Sequence, residues 1–119
     1  MDSVKLDNPK LNSVFGGQLK TRSTDEQGKE VTTQLDLKAV IEYMLRATES
    51  DGRSLTVTGM EDSSRVQTIG KSLQQSINGS IEFAEGDYKW LCGKAKTNLW
   101  RIFPTEAANI YEILSNKLS

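Results

Sequence analysis

The sequence predicts an α+β domain, an N-terminal β-hairpin followed by about four short amphipathic helices. Three observations lead to it. Two β-prone runs near the N-terminus flank a polar loop that contains glycine. Downstream, apolar residues recur again and again at the spacing of one helical face. The chain has 119 residues, enough for one compact core and too few for two.

Residues 1–13 carry Asn8-Pro9 and no periodic apolar pattern, which predicts an extended or flexible arm outside a domain spanning 14–119. The hairpin is expected from Val14-Phe15-Gly16-Gly17-Gln18-Leu19-Lys20-Thr21-Arg22 and Glu30-Val31-Thr32-Thr33-Gln34-Leu35, with the polar stretch 23–29 between them. A first helix over 36–48 follows. Asp36 suits its N-cap, because a carboxylate accepts from the orphan amides of the first turn. Leu37, Val40, Ile41, Met44 and Leu45 form its apolar stripe, and Glu42 and Arg46 pair at i, i+4 on the other side.

Residues 54–58 read as a short strand or a linker. Thr58-Gly59-Met60-Glu61 has the form of a capping box and predicts a second helix. Its stripe is Val66, Ile69, Leu73 and Ile77, and Gly79 is placed to end it in a left-handed conformation after Asn78. Ser80-Ile81-Glu82-Phe83 alternates and leads into a third helix near 85–97, with Tyr88, Leu91, Cys92 and Ala95 on one face. Residues 98–103 are rich in β-prone side chains and read as a connector. Pro104 suits the first turn of a last helix, whose stripe is Ala107, Ile110, Tyr111, Leu114 and Leu118.

Composition restricts the chemistry. The chain contains no histidine, which excludes Ser-His-Asp and Cys-His catalysis in their usual forms and imidazole metal sites. Its one cysteine, Cys92, can form neither an internal disulfide nor a thiolate zinc cage, and it falls on an apolar helix face, as an inert buried thiol would. Gly16-Gly17 lacks the strand-loop-helix context and the following Lys-Ser/Thr of a phosphate loop, and reads as a turn or bulge. The carboxylates Glu61, Asp62, Glu82, Glu85 and Asp87 sit where helices start, which is where the helix dipole stabilises negative charge in any case. No cofactor, no metal and no enzymatic activity are expected. Nor is a membrane partner: no run approaches the roughly 20 apolar residues of a span, and Met1–Asp7 lacks the apolar block of a signal peptide. Asn78-Gly79-Ser80 matches a glycosylation triplet that has no use in a reducing, cytoplasmic setting.

Charge is segregated, although the net charge is only -1. Residues 35–62 hold Asp36, Glu42, Glu49, Asp51, Glu61 and Asp62 against Lys38, Arg46 and Arg53. Within 88–102 there is no acid, against Lys89, Lys94, Lys96 and Arg101, interleaved with Tyr88, Trp90 and Trp100. Cations with aromatics grip phosphates and stack bases, and they also anchor protein interfaces. Those seven residues are the candidate binding site. A protein partner is expected ahead of weak nucleic-acid binding, with self-association a further possibility. The plain alternative is a core tryptophan pair framed by a solvated basic face.

The order of these features resembles small accessory proteins of tailed bacteriophages. The resemblance rests on the hairpin with its glycines, the helix Leu37-Lys38-Ala39-Val40-Ile41-Glu42-Tyr43-Met44-Leu45, and the entry from Ile81-Glu82-Phe83 through Asp87-Tyr88 to Leu91, and covers 14–118. It implies a phage or prophage origin and a place in the bacterial cytoplasm or the phage particle. It implies action by binding; a modulator or inhibitor of a host or phage protein is the expected function, with a minor virion or assembly component as the alternative. It supplies no catalytic residues.

Overall fold

The computed structural model describes residues 2–76 and 79–118. The elements in chain order are β1 (Ser3–Asp7), β2 (Lys20–Thr24), β3 (Glu30–Gln34), α1 (Leu37–Arg46), α2 (Met60–Gln74), β4 (Ser80–Ala84), α3 (Glu85–Ile102) and α4 (Ala107–Leu114), closed by a 3₁₀ turn at Ser115–Lys117. The class is α+β. Two separate two-stranded antiparallel sheets, β1-β4 and β2-β3, accompany the four helices.

The stripe of α1 is the predicted one: Leu37, Val40, Ile41, Met44 and Leu45 are all buried. Asp36 caps the helix, accepting from the Ala39 amide at 2.8 Å. The stripe joins one core with Ile69 and Leu73 of α2, Tyr88, Leu91, Cys92, Ala95 and Leu99 of α3, and Ile110 and Leu114 of α4, in which α3 meets α1, α2, α4, β1 and β4. Full burial of each large apolar side chain is worth about 1.5–3 kcal/mol, so this cluster supplies most of what opposes chain entropy.

The N-terminal segment is not an arm. β1 pairs with β4 over five residues, from Ser3 opposite Ala84 to Asp7 opposite Ser80. Leu6 and Leu11 are 2% and 1% exposed. Asn8 reinforces the α1 cap, donating to Asp36 Oδ2 at 3.0 Å and accepting from the Lys38 amide at 2.8 Å. A single alternating strand buries nothing without a sheet partner. That partner lies almost eighty residues away, out of reach of local pattern reading.

Four boundaries also differ from the sequence expectation. α2 starts at Met60 with Gly59 at the N-cap, so Thr58 is outside the helix and Glu61 does not close a capping box. Gly79 is left-handed, at φ +76°, but it opens β4 rather than ending α2, whose C-cap is Gln75. Ile77 and Asn78 lie outside the described residues. α3 continues unbroken through 98–102, because Leu99 extends the inward stripe of Tyr88, Leu91, Cys92 and Ala95, and packing outweighs the weak β preference of Trp and Ile. Pro104 falls in the turn between α3 and α4, ahead of the first helical position.

The hairpin β2-β3 forms, but its first strand is Lys20–Thr24 rather than 14–22, because the left-handed Gly16 and Gly17 turn the preceding residues out of the ladder, and its surrounding is unexpected. Its register runs from Lys20 opposite Gln34 to Thr24 opposite Glu30. Asp25 shapes its turn, accepting from the amides of Gln27 and Lys29 at 3.0 and 2.8 Å. At its base Leu11, Leu19 and Leu35 close a ring of backbone bonds: Leu11 N–H to Leu35 O, Leu35 N–H to Leu19 O, and Leu19 N–H to Leu11 O. Residues 12–18 leave this line as a loop, with Gly16 and Gly17 both left-handed at φ +91° and +79° and Phe15 84% exposed. Beyond the base, the ribbon packs on no other element more than in passing. The radius of gyration is 14.5 Å, against about 13.5 Å for a compact chain of this length.

Candidate functional site

The structure divides the seven candidate residues into three groups by where α3 points them. Tyr88 faces the core and is 1% exposed, so it is not a surface contact. Its hydroxyl donates to the Leu114 carbonyl at 2.6 Å and accepts from the Lys117 amide at 3.1 Å, tying the end of α4 to α3. Burial pushes its pKa up to about 12. Burial likewise raises that of Cys92, which is 2% exposed beside it, and leaves the thiol a poor nucleophile.

Trp90 and Lys94 are half-buried and both turn to Asp62 at the start of α2. The indole N–H donates to Oδ1 at 2.9 Å and the Lys94 ammonium reaches Oδ2 at 3.3 Å. The Thr58 amide and hydroxyl reach the same Oδ2 at 3.0 and 2.9 Å. The Thr58 amide above all, then the Trp90 indole and the Thr58 hydroxyl, with Lys94 adding to them, hold the Asp62 carboxyl well below the usual carboxylate range. Trp90 and Lys94 thus join α2 to α3, with Lys94 also 5.7 Å from the Trp90 ring centroid.

Lys89, Lys96, Trp100 and Arg101 face outward. Lys89 pairs with Glu85 at 3.1 Å and Arg101 with Glu49 at 3.2 Å. Lys94 and Arg101 thus meet acids of the 35–62 half, whereas the Lys89–Glu85 pair lies within α3 itself. Among the described residues no acid pairs with Lys96. Trp100, one helical turn on, is 61% exposed, its indole N–H turned back to the Thr97 carbonyl at 2.8 Å. What the ring presents outward is therefore apolar.

Beside Trp100 runs a groove of about 290 Å³ between α3 and α4. Ala95, Leu99, Ala107 and Ala108 form its floor, with Tyr111, Trp100 and Lys96 around it. On the other flank of α3 a second, open groove of about 520 Å³ is lined by Tyr43, Arg46, Arg101 and Ile102 with the 47–55 linker. Tyr43 packs against Phe103 there, ring centroids 5.6 Å apart. The sequence reading missed Tyr43, Phe103 and the α4 alanines as site residues. Tyr43 carried a signal, since it is a large aromatic lying off the α1 stripe, and it is 52% exposed.

The candidate carboxylates stand apart from one another in separate bonds. Asp87, at the start of α3, holds Arg65 at 3.0 Å, and the guanidinium crosses Gly86 so closely that a Cβ there would lie 2.9 Å from Nη1. Glu82 accepts from Ser3 at 3.2 Å, and Glu85 belongs to Lys89. Among the described residues no three acids or cysteines gather as a metal cluster would require, and no helix is long and apolar enough to cross a membrane.

Fold and site together define a small α+β protein with an exposed tryptophan, an unpaired lysine and two grooves flanking the C-terminal half of its longest helix. No protein-family model matches the chain, and no curated protein or solved structure does either.

Proposed function

We propose that the chain acts by binding another protein through the α3-α4 face, as a non-enzymatic modulator or inhibitor of a host or phage protein. The observation that carries this reading is Trp100: a large aromatic ring held exposed above a groove floored by small apolar side chains, with Lys96 one turn away. Exposed tryptophan beside a pocket is the commonest kind of interface anchor, and its removal typically costs a complex about 2 kcal/mol or more. Nucleic-acid binding is the weaker reading, because three of the four α3 cations already face acids of the same chain.

The test is affinity capture from a bacterial lysate with the wild-type chain and with Trp100→Ala/Lys96→Glu in parallel. Both positions are exposed, so the double variant should keep the wild-type circular dichroism spectrum. We expect a protein retained by the wild type and lost by the variant. Equal capture by both would place the binding surface elsewhere.

A further inference from the structure

We propose that the free edge of β3 pairs with the same edge of a second copy of this chain, joining two hairpins into one four-stranded antiparallel sheet.

The ladder fixes which backbone groups are available. Across an antiparallel pair, bonded and non-bonded positions alternate. Leu35 N–H bonds Leu19 O at the base and Asp25 N–H bonds Lys29 O at the turn. With the observed register, the intervening bonded pairs are Thr21 with Thr33 and Ser23 with Val31. The N–H and C=O groups of Glu30, Thr32 and Gln34 therefore point away from β2. Among the described residues no backbone group meets them. The leucine ring at the base puts residues 9–11 on the β2 side of Leu35, since Leu35 turns both its N–H and its C=O that way. The opposite side of β3 stays open along its length.

The two outer edges of the hairpin are built differently. β2 carries Lys20 and Arg22 at its outward positions, the kind of charged edge that discourages pairing. β3 has one charge, Glu30, at its far end and then Val31-Thr32-Thr33-Gln34, β-prone and without proline or bulge. Four of its five residues are exposed, and the ribbon has almost no other support. A two-stranded ribbon alone is marginal in water, and a third and fourth strand stabilise it.

The β3 edge is compatible with its own copy in one register. An antiparallel two-fold pairing centred on Thr32 sets Thr32 against its own symmetry mate and Glu30 against the mate's Gln34, so no like charges oppose. Val31 meets Thr33 of the mate, a β-branched pair on the other face. Pairing through β2 about the matching centre would set Arg22 against Arg22, and pairing β2 to β3 head to tail would not close. The β3-β3 contact forms six backbone hydrogen bonds but little buried area. Interfaces under about 1,200 Å² are weak or transient, so the dimer should form only at high concentration.

Sedimentation velocity over about a hundredfold range of concentration tests this. For the wild type, the weight-average mass should rise from one chain toward two. Thr32→Lys sets two cations on the symmetry axis, and Thr32→Pro removes an outward amide that the hairpin itself does not use. Both should remain monomeric across the range with unchanged circular dichroism, and Trp100→Ala should dimerise as the wild type does. A wild type that stays monomeric, or a folded Thr32 variant that still dimerises, overturns the proposal. If Thr32→Pro unfolds, Thr32→Lys decides alone. Loss of the dimer in Trp100→Ala assigns self-association to the α3-α4 face and overturns it equally.

Discussion

Asp62 accepts bonds from two residues that the sequence places 28 and 32 positions away, Trp90 and Lys94. The arrangement changes the meaning of three residues at once. A carboxylate at a helix start has an ordinary role with the dipole, and an indole and an ammonium on a basic helix invite a partner. Brought together, they satisfy one another. The consequence is a dependence on acid. Because the folded-state pKa of Asp62 is depressed, its contribution is complete above the ordinary value of 3.8 and is lost as pH falls below it. We expect Asp62→Asn to lose less stability than the wild type between about pH 5 and pH 2 in urea titrations, after starting from a lower value at neutral pH. Parallel curves for the two proteins would show that Asp62 does not carry this linkage.

Among the elements, β1 and α3 depart furthest from local expectation, and for opposite reasons. The five residues of β1 have no turn beside them and no long apolar run, so their burial depends on β4 being present. α3 is longer than its β-prone C-terminal residues suggest, because the inward stripe continues through Leu99 and the Asn98 side chain turns back to the Lys94 carbonyl at 3.1 Å. The strand reading leads to a measurable outcome. Leu6 packs in the main core, so Leu6→Ala should destabilise by about 2–5 kcal/mol, the range for a leucine truncated in a packed interior. A loss below about 0.5 kcal/mol in chemical denaturation would show that the segment behaves as a loose arm after all. The hairpin, by contrast, forms as expected in kind, but its first strand starts at Lys20 rather than Val14, and its lack of packing was hidden.

At the scale of the whole molecule, the charge blocks neutralise each other across the fold. A phosphate backbone would have to displace Glu85, Asp62 or Glu49 to reach Lys89, Lys94 or Arg101. Four free cations would give a slope of log affinity on log salt near -3.6, and Lys96 alone about -0.9. Fluorescence anisotropy with a duplex DNA between about 50 and 200 mM salt should therefore give a slope no steeper than about -1. A slope near -4 would mean that the internal pairs open on binding. The Lys89–Glu85 pair is local, at i, i+4, but those with Asp62 and Glu49 could not be read in advance, because the sequence does not show which distant acids face α3. Of the candidate site, the stretch of α3, its aromatic character and the apolar face that holds Tyr88 were legible, while the other roles were not: Trp90 and Lys94 bonded to Asp62, Lys96 and Trp100 outward. The sequence by itself determined the α+β class, the helix α1 with its five buried positions, the presence of the hairpin, and the lack of histidine chemistry. All of these follow from local periodicity, turn residues and composition, which neighbouring residues impose on one another. Only the tertiary structure decided the pairing of β1 with β4, the length of α3, the exposed ribbon and which α3 side chains stay exposed. Each of those depends on which distant segment completes a hydrogen bond or covers an apolar face, and that choice is made by packing rather than by the segment alone.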